Sequence, residues 1–347
     1  MKRVLLPYVL GRSSPIPYLF EGILPHFSNR YHFRTFASDE VAVPEHVTVT
    51  QVSNSSKLTT ALKYGFVSLK SHNLVHTGAF ERHRHFVRLA SLRNRNISHI
   101  HSFRVDVDPK GSYNTKVRRE LSRKADVTTA VSEHTAETVR EHFGIDPIVI
   151  YNAVDSEWFR PGYDRPELFD ELGIEGPVFL FVGSLEARKR PDHLLDVAES
   201  VPEATFLLVG DGPMADQLRE RSNELNNVIL PGRVEKDRLP AVYANARGLV
   251  FPSVREGCPN VVMEAMAAGI PTVGYRATSM PELIEHGERG LLAETDNVTE
   301  LTGHVRRLLD AEEAAAMGTN ARAYVREHHS FEEIGSQYEA LYDELLN

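Results

Sequence analysis

The sequence predicts two α/β domains, each a parallel sheet covered by helices, facing each other across a cleft. Three observations carry this reading. The chain has 347 residues, too many for one ordinary core and suited to two domains of about 150 residues. Apolar residues make up 41% and charged residues 25%, a globular balance that argues against wholesale disorder. Short apolar runs alternate with helical stretches, the pattern of strand–helix–strand units that build parallel sheets. Each half is therefore expected to be Rossmann-like.

The first half offers strand candidates at 3–9, 33–37, 47–52, 73–76, 98–101, 127–131 and 148–150. The second half offers 178–182, 205–209, 228–230, 248–251 and 272–274. Helical stretches lie between them, such as 191–200 and 214–226. The tract 151–166 holds Asn, Asp, Pro and Gly without a period and reads as the connection. The expected domains are 1–155 and 165–330. The final stretch, 331–347, has Phe331, Ile334, Tyr338, Leu341 and Leu345 on one helical face, free to pack on either half, the first included.

The opening run, MKRVLLPYVLG, is interrupted by Pro7 and lacks the small-residue cleavage pattern of a signal peptide, so it reads as the first strand. No stretch approaches 18 uninterrupted apolar residues, the length a membrane helix needs. Cys258 is the single cysteine, which suits a reducing compartment. A cytoplasmic protein is expected, and the sequons at Asn54, Asn96 and Asn297 read as chance matches.

Charge is divided unevenly. Residues 1–150 carry 21 basic and 13 acidic side chains, and the remainder 18 basic and 35 acidic. Within 82–124 there are 12 basic residues against three acidic ones. They include Arg82, Arg84, Arg88, Arg93, Arg95, Arg118, Arg119, Arg123 and Lys124, with Phe80, Phe86, Phe103 and Tyr113 among or beside them. Three readings stand: a solvated helical face, a surface that rests peripherally on the anionic inner face of a membrane, and one that binds a phosphate-bearing acceptor. Nucleic acid ranks below these, because no reader motif accompanies the charge.

The most informative segment is Pro252-Ser-Val-Arg-Glu256-Gly-Cys-Pro-Asn-Val-Val-Met-Glu264-Ala-Met-Ala-Ala-Gly269. An apolar strand runs into a polar loop. A helix then starts near Asn260, expected as its N-cap, and stops at Gly269. In a parallel sheet such a loop lies at the carboxyl edge, where ligands bind. The helix start, with Asn260 and Val261 as backbone donors, suits a diphosphate. Glu256 sits before the helix and Glu264 one turn inside it. One carboxylate is placed to face a sugar and the other to accept hydrogen bonds from ribose hydroxyls. Met263, Ala265 and Met266 beside Glu264 read as buried, so a carboxylate there needs a partner.

Glu256 and Glu264 with seven residues between, Phe-Pro-Ser before them and Glu-Ala-Met-Ala-Ala-Gly after, resemble the family-4 retaining glycosyltransferases, whose fold is GT-B. Other segments agree in order: Phe181-Val-Gly-Ser-Leu-Glu-Ala-Arg-Lys189, Leu208-Val-Gly-Asp-Gly-Pro213, Pro281-Glu-Leu-Ile with Gly290, and Ile150-Tyr-Asn-Ala-Val-Asp155. The resemblance is strong over 125–295.

The resemblance implies a nucleotide-sugar donor held by the second domain. Glu264 would bind the donor ribose, Glu256 would contact the sugar near the reacting centre, and Lys189 would neutralise the departing diphosphate. Gly183, Arg188, Asn260, Val261 and Val234 complete the donor set. Where the family usually has an arginine this chain has Ser184, and Arg188 or Arg190 is the substitute. Gly11 lies in the equivalent of the family's glycine-rich loop. His101, with His99 and His76 as rivals, fits the family's strand-end histidine close to the transferred sugar. The expected donor is a UDP- or GDP-sugar; the uneven charge alone suggests a lipid-linked or cell-envelope glycan as the product, and no metal or other cofactor is expected, since Lys189 and the helix start supply positive charge.

Competing signals are weaker. Asp106-Val-Asp108 is a short triplet of the kind metal-dependent transferases use. The histidines between His72 and His101 match no ligand spacing and lie in an Arg-rich stretch. A dehydrogenase would need Gly-x-Gly-x-x-Gly after an early strand, and a serine hydrolase Gly-x-Ser-x-Gly. A nucleotide-sugar epimerase, or a non-catalytic nucleotide-sugar binder of the same architecture, stays as the alternative.

Overall fold

The computed structural model describes residues 1–11, 15–52, 57–78, 83–104 and 113–347. Two compact units emerge, residues 1–153 with 331–347, and residues 154–330.

The first unit contains β1 (Lys2–Leu10), α1 (Pro15–Ile23), β2 (Tyr31–Ala37), β3 (Val47–Gln51), α2 (Lys57–Ser68), β4 (Leu74–Thr77), α3 (His83–Arg93), β5 (Ser98–Phe103), α4 (Tyr113–Lys124), β6 (Val127–Ala130), α5 (Glu133–Phe143) and β7 (Ile148–Val149). Its seven strands are parallel in the order β3-β2-β1-β4-β5-β6-β7. Helices cover both faces, so β1 is apolar on both sides: Val4, Leu6, Tyr8 and Leu10 enter one core cluster and Leu5 another. Alternation puts successive side chains on opposite faces, which is why the strand reads as a continuous apolar run.

The second unit contains α6 (Glu167–Glu171), β8 (Val178–Val182), α7 (Pro191–Ser200), β9 (Thr205–Val209), α8 (Ala215–Ser222), β10 (Val228–Gly232), α9 (Leu239–Ala244), β11 (Gly248–Phe251), α10 (Asn260–Ala267), β12 (Thr272–Tyr275), α11 (Met280–Leu283), β13 (Gly290–Ala293), α12 (Val298–Arg307) and α13 (Ala311–His328). Its parallel strands run β10-β9-β8-β11-β12-β13. The order reverses direction between β8 and β11. At such a switch point the loops after the two central strands diverge and leave a crevice at the carboxyl edge.

The last helix, α14 (Phe331–Leu346), belongs to the first unit. Ile334, Tyr338, Leu341 and Tyr342 are its buried stripe. Its polar contacts are as specific as its packing. The Tyr342 hydroxyl lies 2.6 Å from His76 Nδ1, and His76 Nε2 lies 2.6 Å from Ser102 Oγ. Burial keeps His76 well below the usual imidazole range, and a neutral ring has one donor and one acceptor for those two partners. Arg104 donates to Asn152 Oδ1 at 2.9 Å and to the Tyr338 hydroxyl at 3.2 Å. Asp343 receives Lys2 at 3.0 Å, Arg30 at 2.9 Å and the Tyr31 hydroxyl at 2.7 Å. Tyr342→Phe should therefore cost about 1–3 kcal/mol, since it strands a buried ring nitrogen. Denaturant midpoints of the two proteins check this.

Four sequence expectations need correction. The tract read as a connection belongs from Val154 onward to the second unit. Phe159 packs edge-on against Tyr243 at 5.5 Å, and Arg322 donates to the carbonyls of Ser156 and Phe159. Helix α8 stops at Ser222, short of 226, with Asn223 as its C-cap. Strand β13 was not anticipated. Pro259, not Asn260, occupies the N-cap of α10, with φ −75° and ψ 113°. Proline's ring pre-sets that φ and its missing N–H costs nothing at a helix start. Gly269 follows the helix at φ +78°, the left-handed position anticipated for it.

Candidate active site

The site grows from the loops after β8 and β11. Gly183, the first residue past β8, has φ 152°, and Gly210, just past β9, has φ 148°. A Cβ on Gly210 would stand 1.8 Å from the Gly183 carbonyl oxygen. Two backbones meet here with no room for a side chain, which fixes the path of the loop. That loop tightens into a turn, Ala187–Lys189, and ends at Arg190, itself at φ 49°. The turn delivers Lys189 inward, where it is 8% exposed. Its Nζ lies 4.6 Å from the centroid of the Phe251 ring, at the end of β11.

The loop after β11 brings Glu256 to the same place. Its Oε1 receives Lys189 Nζ at 2.9 Å, Arg188 Nη1 at 2.9 Å and Ser253 Oγ at 2.8 Å. Arg188 Nη1 also donates to the Arg255 carbonyl at 2.9 Å. Glu256's backbone is pinned from the loop after β12. Its N–H donates to Thr278 Oγ1 at 3.1 Å, and its carbonyl accepts from Ser279 Oγ at 3.2 Å. Three loops at one sheet edge thus hold one carboxylate against two cations.

Glu264 lies inside α10 and faces α9. The Tyr243 hydroxyl donates to its Oε2 at 2.9 Å. Loss of hydration pushes this carboxyl up to about 7, against the opposing pull of the Tyr243 bond and the Lys236 charge. Asn260 and Val261 open the helix, and the N–H groups of Val262 and Met263 close onto the Pro259 carbonyl at 3.2 and 3.4 Å.

Of the residues expected from sequence, Glu256, Lys189 and Arg188 are in direct contact, and a Cβ on Gly183 would lie 3.6 Å from Lys189 Nζ. Glu264, Asn260 and Val261 share α10. Val234 is half-buried in the loop after β10, at the same sheet edge but on its outermost strand. Of the two arginines offered for Ser184, Arg188 reaches Glu256, whereas Arg190 is paired with Asp296 at 2.9 Å and 3.2 Å. The sequence reading missed Ser253, Thr278, Ser279 and Tyr243. Ser253 had a signal, standing three residues before Glu256. Tyr243 had none, since only the packing of α9 on α10 brings it to Glu264.

In the first unit, Gly11 follows β1 at φ +77° and its N–H donates to Glu21 Oε1 at 2.6 Å. His101 was expected at a strand end. Strand β5 continues to Phe103, because Phe103 still pairs with Ala130, so His101 stands two residues inside it and is fully buried. Its Nδ1 lies 3.0 Å from Thr77 Oγ1, and its Nε2 has no hydrogen-bond partner. Burial, then the neighbouring His99, keeps its ring well below the ordinary range, hence neutral. The rivals are committed elsewhere: His76 to Tyr342 and Ser102, and His99 Nε2 to Thr77 Oγ1 at 2.8 Å. Asn54, Phe80, Arg82, Asp106 and Asp108 lie outside the described residues, as does the side chain of Tyr113. Among the described residues no group of three or more His, Cys, Asp or Glu is placed to hold a metal ion, and no helix is long and apolar enough to cross a membrane.

Paired cations beside a carboxylate at a parallel-sheet switch point, with a helix start on the next loop, are groups suited to an anionic ligand. Family comparison makes this specific. Residues 53–158 match the model described as Glycosyltransferase Family 4, and residues 176–311 match the model described as Glycosyl transferases group 1. The chain belongs to this family. The N-acetyl-alpha-D-glucosaminyl L-malate synthase of Bacillus anthracis is 31% identical over 249 residues, covering 68% of this chain and 64% of that protein. A GDP-mannose-dependent alpha-(1-6)-phosphatidylinositol monomannoside mannosyltransferase of Mycobacterium tuberculosis is 30% identical over 60% of this chain and 59% of its own. The chain thus spans less than two thirds of the length of either relative. Among solved structures, Anabaena HepE in complex with UDP and glucose aligns with a TM-score of 0.81 at 21% identity, over 99% of this chain and 100% of that one. A sucrose-phosphate synthase from Thermosynechococcus elongatus gives the same TM-score at 19% identity, over 99% of both chains. The fold is GT-B, two parallel-sheet α/β domains, as the sequence predicted.

Proposed function

We propose that this chain is a retaining glycosyltransferase that moves a hexose-type sugar from a UDP- or GDP-sugar to a lipid-linked or cell-envelope glycan acceptor. The observation that carries the reading is the shared carboxylate: Glu256 Oε1 bound at once by Lys189, Arg188 and Ser253. Two cations gathered at the carboxyl edge suit a diphosphate, and a carboxylate beside them suits the sugar it carries. The relatives' printed names, which include a GDP-mannose-dependent enzyme acting on a phosphatidylinositol glycan, and HepE's UDP and glucose support the same substrate classes.

In this reaction the bond from the anomeric carbon to the diphosphate oxygen breaks, and a bond to the acceptor hydroxyl forms on the same face. The acceptor's proton passes to the departing diphosphate oxygen. Lys189, Arg188 and the start of α10, with Asn260 and Val261, stabilise the negative charge that grows there. That supply of positive charge makes a metal unnecessary. Gly183 and Val234 border the donor site, and Glu264 takes the ribose hydroxyls. In the first unit we assign His101, whose buried Nε2 substrate binding would have to uncover, to the substrate, and Gly11 to the acceptor side. The acceptor is held at an anionic membrane surface by the basic first unit, and the protein works at the inner face of the membrane from the cytoplasm.

A thermal-shift screen of UDP- and GDP-sugars tests the donor, because a ligand that binds only the folded chain raises its melting temperature. Transfer of label to a lipid-phosphate acceptor tests the reaction. Binding or interconversion without transfer would favour an epimerase or a binding protein and sink the transferase reading. Within the site, Arg188→Ala should weaken donor binding about tenfold through loss of one charge-assisted contact, while Arg190→Ala leaves it within about twofold. Calorimetric titration of both variants separates the two arginines.

A further inference from the structure

Of the described residues, six large apolar side chains stand exposed: Met1, Leu62, Phe66, Leu69, Leu92 and Ile148. Four of these lie on two neighbouring helices or just past their ends. Leu62, Phe66 and Leu69 recur at i, i+4 and i+7 along the outer side of α2, at 66%, 69% and 41% exposure. Leu92, in the last turn of α3, is 73% exposed. Single exposed leucines need no explanation, but a stripe does.

The topology places these groups together. Helices α2 and α3 each lead into a parallel strand, β4 and β5, and those strands are neighbours. The helices therefore run in the same direction, and they pack side by side, with Tyr64 of α2 against Phe86 of α3 at 5.4 Å. Their C-terminal turns lie next to each other at the amino edge of the sheet, away from the edge that carries Gly11. Basic side chains surround the apolar tips. Lys70 Nζ sits 5.0 Å from the Phe66 ring centroid. Arg93 and Arg95 are exposed beside Leu92. Helix α4 leads into β6, next to β5, and ends in exposed Arg123 and Lys124. Basic groups at helix C-termini complement the dipoles, which accounts for part of the charge but for none of the apolar stripe.

We propose that the surface formed by the C-terminal turns of α2 and α3 docks on an anionic lipid bilayer, with Phe66, Leu69 and Leu92 entering the headgroup–acyl boundary and Lys70, Arg93 and Arg95 contacting the headgroups. An apolar stripe flanked by lysine and arginine is what an interfacial membrane contact requires. Lysine is depleted from protein–protein interfaces, whereas the basic rim here is complementary in charge to anionic headgroups. The proposal goes beyond the reading of a membrane-held acceptor: this surface lies at the sheet edge opposite Gly11, so it anchors the chain to lipid without itself holding the acceptor. Its test needs no sugar and fails separately from the transfer reaction.

The test is co-sedimentation of the full chain with phosphatidylcholine vesicles, with and without phosphatidylglycerol. Binding should require phosphatidylglycerol and fall as salt rises. Phe66→Ser with Leu69→Ser should lower binding about tenfold or more, and Arg93→Glu with Arg95→Glu should abolish the salt-sensitive part. Both pairs are surface changes, so the melting temperature should stay within a few degrees. Phe66→Trp supplies a second readout, since Trp158 is the single native tryptophan: its emission should shift to the blue on adding anionic vesicles. Absence of vesicle binding at low salt, or unchanged binding by the serine pair, overturns the proposal. So does a drop in oligomeric mass of the serine pair, by light scattering, with vesicle binding intact, which would assign the stripe to self-association.

Discussion

Glu264→Ala should weaken nucleotide-sugar binding about 30- to 100-fold, roughly 2–3 kcal/mol, the worth of hydrogen bonds to a charged, poorly hydrated group. The same substitution should leave the empty protein no less stable at neutral pH. In the folded chain burial lifts the Glu264 carboxyl from its ordinary 4.5 to about 7. An acid whose folded value is raised favours folding only in its neutral form. The penalty is absent below the unfolded value of 4.5, grows as pH rises toward 7, and is complete above it. Glu264→Gln, which keeps the shape and a group for the Tyr243 hydroxyl, should therefore gain about 1–3 kcal/mol of stability at pH 8 and little at pH 4.5. Donor binding has the opposite sign. Ribose hydroxyls donate to the ionised form, so affinity should rise between pH 6 and 7 and level off above, with proton release below 7. Calorimetry in buffers of different ionisation heat reads that proton directly. Unchanged affinity in the alanine variant, with a flat pH profile, would remove Glu264 from the donor site.

The cost of burying this carboxylate explains why part of the candidate site was legible in the sequence. A carboxylate among Val262, Met263, Ala265 and Met266, all buried, breaks the apolar pattern of α10, and such a break signals function or a partner. The spacing of Glu256 from Glu264 was local and therefore readable. The strands were readable for a related reason: β8, β9 and β11 are buried on both faces and spell continuous apolar runs. β13, Gly-Leu-Leu-Ala, was not anticipated although it is as long and as fully buried as β11. What sequence order hides is contact at a distance. Arg188 and Lys189 reach Glu256 across 68 and 67 positions, because β8 and β11 are neighbours at the switch point although two strands lie between them in the chain. His76 finds Tyr342 across 266 positions, and no periodicity in either segment announces the other. His101 shows the reverse error, where a motif position suggested a strand end and two further residues of pairing extended the strand past it.

Glu256→Gln should lower turnover about 10²- to 10³-fold while donor affinity stays the same or improves severalfold. Without ligand, Lys189 and Arg188 both spend a hydrogen bond on Glu256 Oε1. A diphosphate arriving at those cations competes with the carboxylate, and the cost of loosening two charge-assisted bonds is drawn from binding. An amide at 256 competes less, so the nucleotide diphosphate gains. Under the proposed reaction chemistry loses, because the charge assigned to the electron-poor anomeric centre in the transition state is gone, and electrostatic contributions of this kind are worth a few kcal/mol. Lys189→Met should behave differently. It removes the cation assigned to the leaving diphosphate and leaves Glu256 held by Arg188 and Ser253, so affinity and turnover should both fall. Separate measurement of donor dissociation constant and single-turnover rate distinguishes these patterns. A Glu256→Gln protein that turns over normally would exclude this carboxylate from the reacting centre. One that loses affinity and rate in equal measure would make it a donor-binding group, its pairing with Lys189 a means of holding the loop rather than a competition with the diphosphate.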